Sequence, residues 1–323
     1  MKKLLFLLFL IASAVAINAQ IVIPDEQEST PALHTIVGDD DREDITNNAQ
    51  NLEKAVVLLK IISNDGIGFC SGAMVGPKVV LTAAHCFVHN GEYAEYVEVF
   101  AYAANNNSSS SDQNENTQKI TLNLQDIHDT HKITGAIQEQ TQQILAAKET
   151  QESENTTPLF TRAINLYAPD EYIELSRNND YNGKMMEHDY GIVVLNKPIG
   201  LDTGWYKLKS LNTAQLKSAK IFVYGRPADK PVTTLWKSPG SISFWDVYIR
   251  TFKHNADTLS GNSGGPIVLQ KNPDEIIGIN VSGKKEDQVS EGYPNGGLRI
   301  NKKIINLVQE ENRKAGTYLT AAD

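Results

Sequence analysis

The chain has 323 residues and a formal net charge of −9, enough length for one large all-β domain or two medium ones, with a charge balance that excludes the nucleic-acid backbone as main partner. Charged residues at 21% and aromatics at 7% are those of an ordinary globular protein, which excludes a chain too polar to bury a core. The longest apolar stretch, Leu4 to Val15, falls short of the roughly 20 residues a membrane-spanning helix needs.

That stretch follows Lys2 and Lys3 and leads into small residues through Ala19, the pattern of a secretory signal over residues 1–19, with cleavage expected after Ala19 and Ala16 as the second choice. The polar, Pro-containing residues 20–34 read as a propeptide, leaving 35–323 as the working domain. Short apolar runs then recur between Gly, Pro, Asn and Asp: AVVLLKII, KVVLTAAH, EYVEVFAYA, DYGIVVL, KIFVYG, GPIVL and EIIGINV. Their length and branched content predict strands, and many short strands mean a barrel or a sandwich. From about 104 to 158 the chain turns Asn-, Ser-, Gln- and Glu-rich and is expected to be a largely unstructured insert. Within it, Ile133, Ile137, Ile144 and Leu145 are spaced for one amphipathic helix. At the other end, NKKIINLVQEENRKA places Ile304, Ile305, Leu307 and Val308 on one face of a helix, expected to pack on the last barrel.

Three segments carry reactive groups. GNSGGP, Gly261 to Pro266, supplies a serine between glycines just ahead of an apolar strand; glycine permits the tight path that aims the N–H groups of Gly261 and Ser263 at one spot, where an oxyanion can be held. VVLTAAHC ends a strand in His85 and Cys86, and Cys70 lies in GFCSGA. A histidine there suits a general base, which must stay within about 3 Å of the proton it takes. HDYGIVVL offers Asp189 at the mouth of a buried strand, a carboxylate suited to orienting the imidazole. Export permits Cys70 and Cys86 to form one disulfide; the alternative is two buried thiols. Two thiols without a histidine pair do not complete a zinc site, and neither metal nor cofactor is expected.

Taken together, TAAHC, the D-x-x-I-x-x-L strand and GNSGGP resemble the chymotrypsin-like serine peptidases. VGDDDREDITN, YAPDEYIE, YGRPADK, the HNADTLSGNSGGP approach to the serine and NGGLRIN are similar to the bacterial glutamyl endopeptidases within that class. The resemblance covers about Thr35 to Glu310 without the insert. It implies two antiparallel six-stranded β-barrels with a C-terminal helix, a triad of His85, Asp189 and Ser263, an oxyanion hole of Gly261 and Ser263, and a Cys70–Cys86 bridge. It also implies a secreted monomeric endopeptidase acting on protein or peptide substrates, with no membrane association once the signal is gone. A protease-like binding protein without turnover is the alternative from another class.

The signs on specificity conflict. Thr258, five residues before the serine, fits the glutamyl endopeptidase pattern, and Ser282 and Gly283 close the same expected pocket strand. Asn280 stands where that group usually carries a histidine, removing a cation that would pair with a substrate carboxylate. Asp257 lies where trypsin-like enzymes hold Arg or Lys. IVGD at Ile36 imitates an activated trypsin-like N-terminus, but its partner position holds Asn262, so a freed end near Thr35 beside the pocket is expected instead. The acidic run from Asp39 to Asp44 reads as a solvated charge run, with calcium binding as the alternative. His188 and His254 read as structural or rim residues, and Asn106, Asn107, Asn155 and Asn280 head N-x-S/T triplets.

Overall fold

Branched side chains pack well on a pleated surface and poorly in a helix, and each of the seven apolar runs lies on a strand in the computed structural model, which describes residues 35–64, 66–101, 159–178, 182–231, 233–283 and 292–320. The expected signal and propeptide, and the insert with its expected helix and acceptor triplets, lie outside the described residues. The first barrel comprises β1 (Val56–Ser63), β2 (Gly66–Met74), β3 (Val79–Thr82), β4 (Tyr96–Ala101), β5 (Leu159–Tyr167) and β6 (Gly191–Leu195). It closes in the order β1-β2-β3-β6-β5-β4. The second comprises β7 (Lys220–Gly225), β8 (Trp236–Val247), β9 (Thr251–His254), β10 (Pro266–Leu269), β11 (Asn272–Ser282) and β12 (Asn295–Arg299). Its order is β8-β7-β10-β11-β12-β9, and β9 pairs back to β8 to close the ring.

All neighbours within the two rings are antiparallel, and closure leaves no unpaired barrel edge. Leu59, Leu81, Ile192 and Leu195 are fully buried in one core cluster that also takes in Ile279 and Leu298 of the second barrel. Ile221, Ile242, Phe252 and Ile267 form a smaller cluster in the second barrel. Strands without a continuous apolar run were not legible beforehand: β5, directly after the expected insert, β8, with Pro239 and Gly240 in mid-strand, and β9 and β12, which take their places by pairing with neighbours.

The last helix, α1 (Lys302–Thr320), starts where the Asn301 side chain accepts the Ile304 amide at 3.1 Å. Ile304, Val308 and Ala315 are buried. The expectation that it packs on the last barrel is corrected: its contacts run to β3 and β6 of the first barrel, and Asn312 Nδ2 donates to the carbonyl of Val75 at 3.0 Å. The apolar face decides this, because the chain leaving β12 must cross to the first barrel to cover Ile304 and Val308. Among the described residues no helix is long and apolar enough to cross a membrane. Ile304→Ala is expected to cost about 2–5 kcal/mol, measured as the shift in urea unfolding, while a loss below 1 kcal/mol would show that the helix does not seal this core.

Candidate active site

His85 enters through a short 3-10 turn, Ala84–Cys86, at the end of β3, and Asp189 stands just ahead of β6, which pairs with β3. Strand pairing thus brings together residues far apart in the chain. The fully buried Asp189 carboxylate grips His85 twice: Oδ1 accepts the His85 backbone amide at 2.9 Å, and Oδ2 lies 2.6 Å from Nδ1. An ionised carboxylate only accepts, so this contact holds the proton on Nδ1 and leaves Nε2 as the basic nitrogen.

Ser263 sits in the turn between β9 and β10 and is buried. Its turn needs glycine: Gly261 and Gly264 have φ of +92° and +77°, and a Cβ on Gly264 would stand 2.0 Å from Thr82 Oγ1 and 2.4 Å from the Ser71 carbonyl oxygen. Ser71 of β2 holds the turn against the first barrel. Its amide donates to Ser263 O at 2.9 Å, its hydroxyl donates to Gly261 O at 2.7 Å and accepts from Arg226 N at 2.9 Å, and its carbonyl accepts from Thr82 Oγ1 at 2.7 Å. Cys70 and Cys86 are bonded, with Cα atoms 6.1 Å apart. A path therefore runs from His85 to Cys86, across the bridge to Cys70, then to Ser71 and by a hydrogen bond to Ser263. Cys86 Sγ itself lies 3.8 Å from Ser263 O.

The expected pocket residues are brought together, but with their polar atoms engaged. Asp257 Oδ1 accepts the amide of Val37 at 2.7 Å and Oδ2 that of Asp41 at 3.2 Å. Burial pushes its pKa up to about 6, against the pull of those two amides. Thr35 is buried; its carbonyl accepts from Thr258 N at 3.3 Å and from Asn295 Nδ2 at 2.8 Å, and its amide donates to Asn295 Oδ1 at 2.9 Å. The chain near Thr35 thus forms a wall beside Thr258. Asn280 is buried in β11, where Oδ1 faces His254 Nε2 at 3.1 Å and Nδ2 donates to Asn262 O at 3.2 Å. Burial drives His254 down to about 3, so it is a neutral imidazole. Ser282 Oγ lies 2.9 Å from Met186 Sδ at the end of that strand, and Gly283 follows it. Two members of the acidic run are paired with basic side chains, Asp40 with Arg42 and Lys230, and Glu43 with Lys237.

The sequence model described as Trypsin matches residues 45–132 and 126–304. The chain belongs to the trypsin family. It is 23% identical over 239 residues to the "Glutamyl endopeptidase" of Bacillus licheniformis, a match spanning 74% of this chain and 56% of that one. It is 33% identical over 101 residues to the "Glutamyl endopeptidase" of Staphylococcus aureus (strain MW2), covering 31% of this chain and 28% of that one. The chain therefore spans about half the length, or less, of these curated relatives. Among solved structures, "Structure of Glu endopeptidase in complex with MPD" shares the fold with a TM-score of 0.54 at 17% identity, covering 86% of this chain and 99% of that one. "Crystal Structure of Protease Anisep from Arthrobacter Nicotinovorans" does so with 0.51 at 16%, covering 83% and 97%.

Within this trypsin-family site, sequence reasoning missed Ser71 and Arg226. Arg226 NH2 reaches Val56 O at 3.3 Å and NH1 reaches Thr233 O at 2.9 Å, tying the YGRPADK segment to the first barrel. The adjacency of Ser71 to Cys70 was the one available signal. Because Asp257 keeps its proton to a higher pH folded than unfolded, its contribution to stability is full below about pH 4 and lost as pH rises toward 6. The unfolding free energy of the parent minus that of Asp257→Asn is expected to fall by about 2 kcal/mol between pH 4 and pH 7, allowing for solvent screening. Urea titrations at the two pH values check this; an increase over that window would contradict it.

Proposed function

We propose that the chain is a secreted serine endopeptidase with Ser263 as nucleophile, His85 as general base and Asp189 as the orienting carboxylate. The observation that carries it is the double grip of Asp189 on His85, beside a serine turn pinned by Ser71. In this mechanism Nε2 of His85 takes the Ser263 hydroxyl proton as the oxygen attacks the peptide carbonyl. The N–H groups of Gly261 and Ser263 bind the oxyanion, and His85 returns the proton to the leaving amine. Water activated by the same histidine then releases the acyl group. The proposal includes removal of residues 1–19 as a signal and 20–34 as a propeptide, and a monomeric product acting on protein or peptide substrates, with neither nucleic acid nor membrane as partner.

For specificity we favour an acidic side chain before the scissile bond. Asp257 is occupied by the Val37 and Asp41 amides, which weighs against its serving as the counter-charge for Arg or Lys. The buried Thr258 hydroxyl has no hydrogen-bond partner among the described residues, a donor suited to a substrate carboxylate. The relatives named glutamyl endopeptidase support the same reading.

A fluorophosphonate probe is expected to label the processed protein and not Ser263→Ala. Asp189→Asn should lower kcat by about three to four powers of ten, because the wrong imidazole tautomer is then favoured. Labelling that persists in Ser263→Ala would overturn the assignment. In a peptide library, cleavage should concentrate after Glu, and Asp257→Asn should leave that profile unchanged. A profile dominated by Arg and Lys that is lost in Asp257→Asn would reverse the specificity reading.

A further inference from the structure

A peptide unit is planar and, with no cis bond among the described residues, its N–H points opposite to the carbonyl of the same plane. The two amides proposed to bind the oxyanion are therefore aimed by whatever holds the carbonyls behind them. The Gly261 N–H shares its plane with Ser260 O, which accepts the Ala228 amide at 2.7 Å. The Ser263 N–H shares its plane with Asn262 O, which accepts the Gly265 amide at 3.0 Å and Asn280 Nδ2 at 3.2 Å. Of these three donors two belong to the main chain and the third is a side chain.

The Asn280 carboxamide is fixed in orientation. The residue is fully buried in β11, and its main chain is tied to the same turn: Gly264 N donates to Asn280 O at 2.7 Å, and Asn280 N donates to Gly265 O at 2.9 Å. Because the Asn262 carbonyl can only accept, the atom facing it must be Nδ2, which leaves Oδ1 toward His254 Nε2 at 3.1 Å. His254 is fully buried and neutral, so its one ring proton sits on Nε2 and is donated to Oδ1. A chain of hydrogen bonds thus runs from His254 through Asn280 to the plane that carries the Ser263 N–H. Asn280 lies on the strand expected to face the substrate side chain, yet both polar ends of its carboxamide are committed within the protein.

We propose, on the peptidase reading given under Proposed function, that Asn280, held by His254, is a positioning residue that aims the Ser263 N–H at the oxyanion and takes no part in choosing the substrate side chain. The experiment compares the full processed parent with Asn280→Asp, which keeps the shape and loses the donor, and with Asn280→Val, whose branched side chain suits a strand. Amide substrates are used, and kcat is referred to active sites counted with a fluorophosphonate, so that a loss of folded protein alone moves nothing. In both variants kcat is expected to fall at least tenfold, a part of the roughly 10²–10³ lost with a whole oxyanion donor. In Asn280→Val the KM, the Glu-to-Gln ratio of kcat/KM and the acid limb of the pH profile should stay as in the parent, because only a transition-state contact is lost. His254→Phe leaves Asn280 in place and removes the donor behind it; a fall in kcat of about threefold or more is expected, and this variant decides the matter if neither Asn280 variant folds. An unchanged kcat per active site in Asn280→Asp, or in His254→Phe where that variant decides, would overturn the proposal. So would an Asn280→Val enzyme altered in KM or in its Glu-to-Gln ratio with kcat kept. A parent that the fluorophosphonate leaves unlabelled would instead overturn the peptidase reading, and the role of Asn280 with it.

Discussion

Ser71 commits its amide and its hydroxyl across the junction of the two barrels while its carbonyl accepts from Thr82 within the first, and the relation of Ser263 to His85 depends on that residue. Each of its hydrogen bonds contributes only about 0.5–1.5 kcal/mol net, but every partner is buried, and a buried group left without its partner costs about 1–3 kcal/mol. The geometry is therefore stiff. The disulfide beside it makes half of the link covalent, so the distance between the proposed base and nucleophile is set by a short path and not by the summed flexibility of two barrels.

The same economy governs the pocket region, where hydrogen bonds within the protein occupy most of the polar atoms. Asn280 joins His254 to the serine turn, and Asn295 joins Thr35 to Ala256. Asp257 holds residues 37 and 41 by their amides. The segment that opens the proposed mature domain is in this way part of the pocket wall, and a change at residues 35–41 reaches Thr258 through a single hydrogen bond. The neutral His254 next to Asn280 supplies no charge of its own at this point of the pocket region.

The seven branched apolar runs, the C-terminal helix and the trypsin-family membership were legible in the amino-acid order, because period-2 and period-3.6 patterns are local and the motif residues sit in short contiguous strings. His85, Asp189 and Ser263 could be named for the same reason: each lies at the edge of such a string. Contacts made at long sequence separation could not be read this way. The strand Trp236–Val247 contains Pro, Gly and Ser and is a strand only because neighbours on both sides pair with it. The helix face was visible, but its docking partner was not, since an apolar stripe states that burial is needed without stating where.

By itself the sequence determined the family and the strands built on continuous apolar runs, since short motifs and local period suffice for both. Tertiary structure alone decided that Ser71 and Arg226 lock the two barrels and that Asp257 turns to Val37 and Asp41. Each depends on which distant groups arrive within hydrogen-bond distance, and closure of two barrels, not the order of residues along either, sets those arrivals.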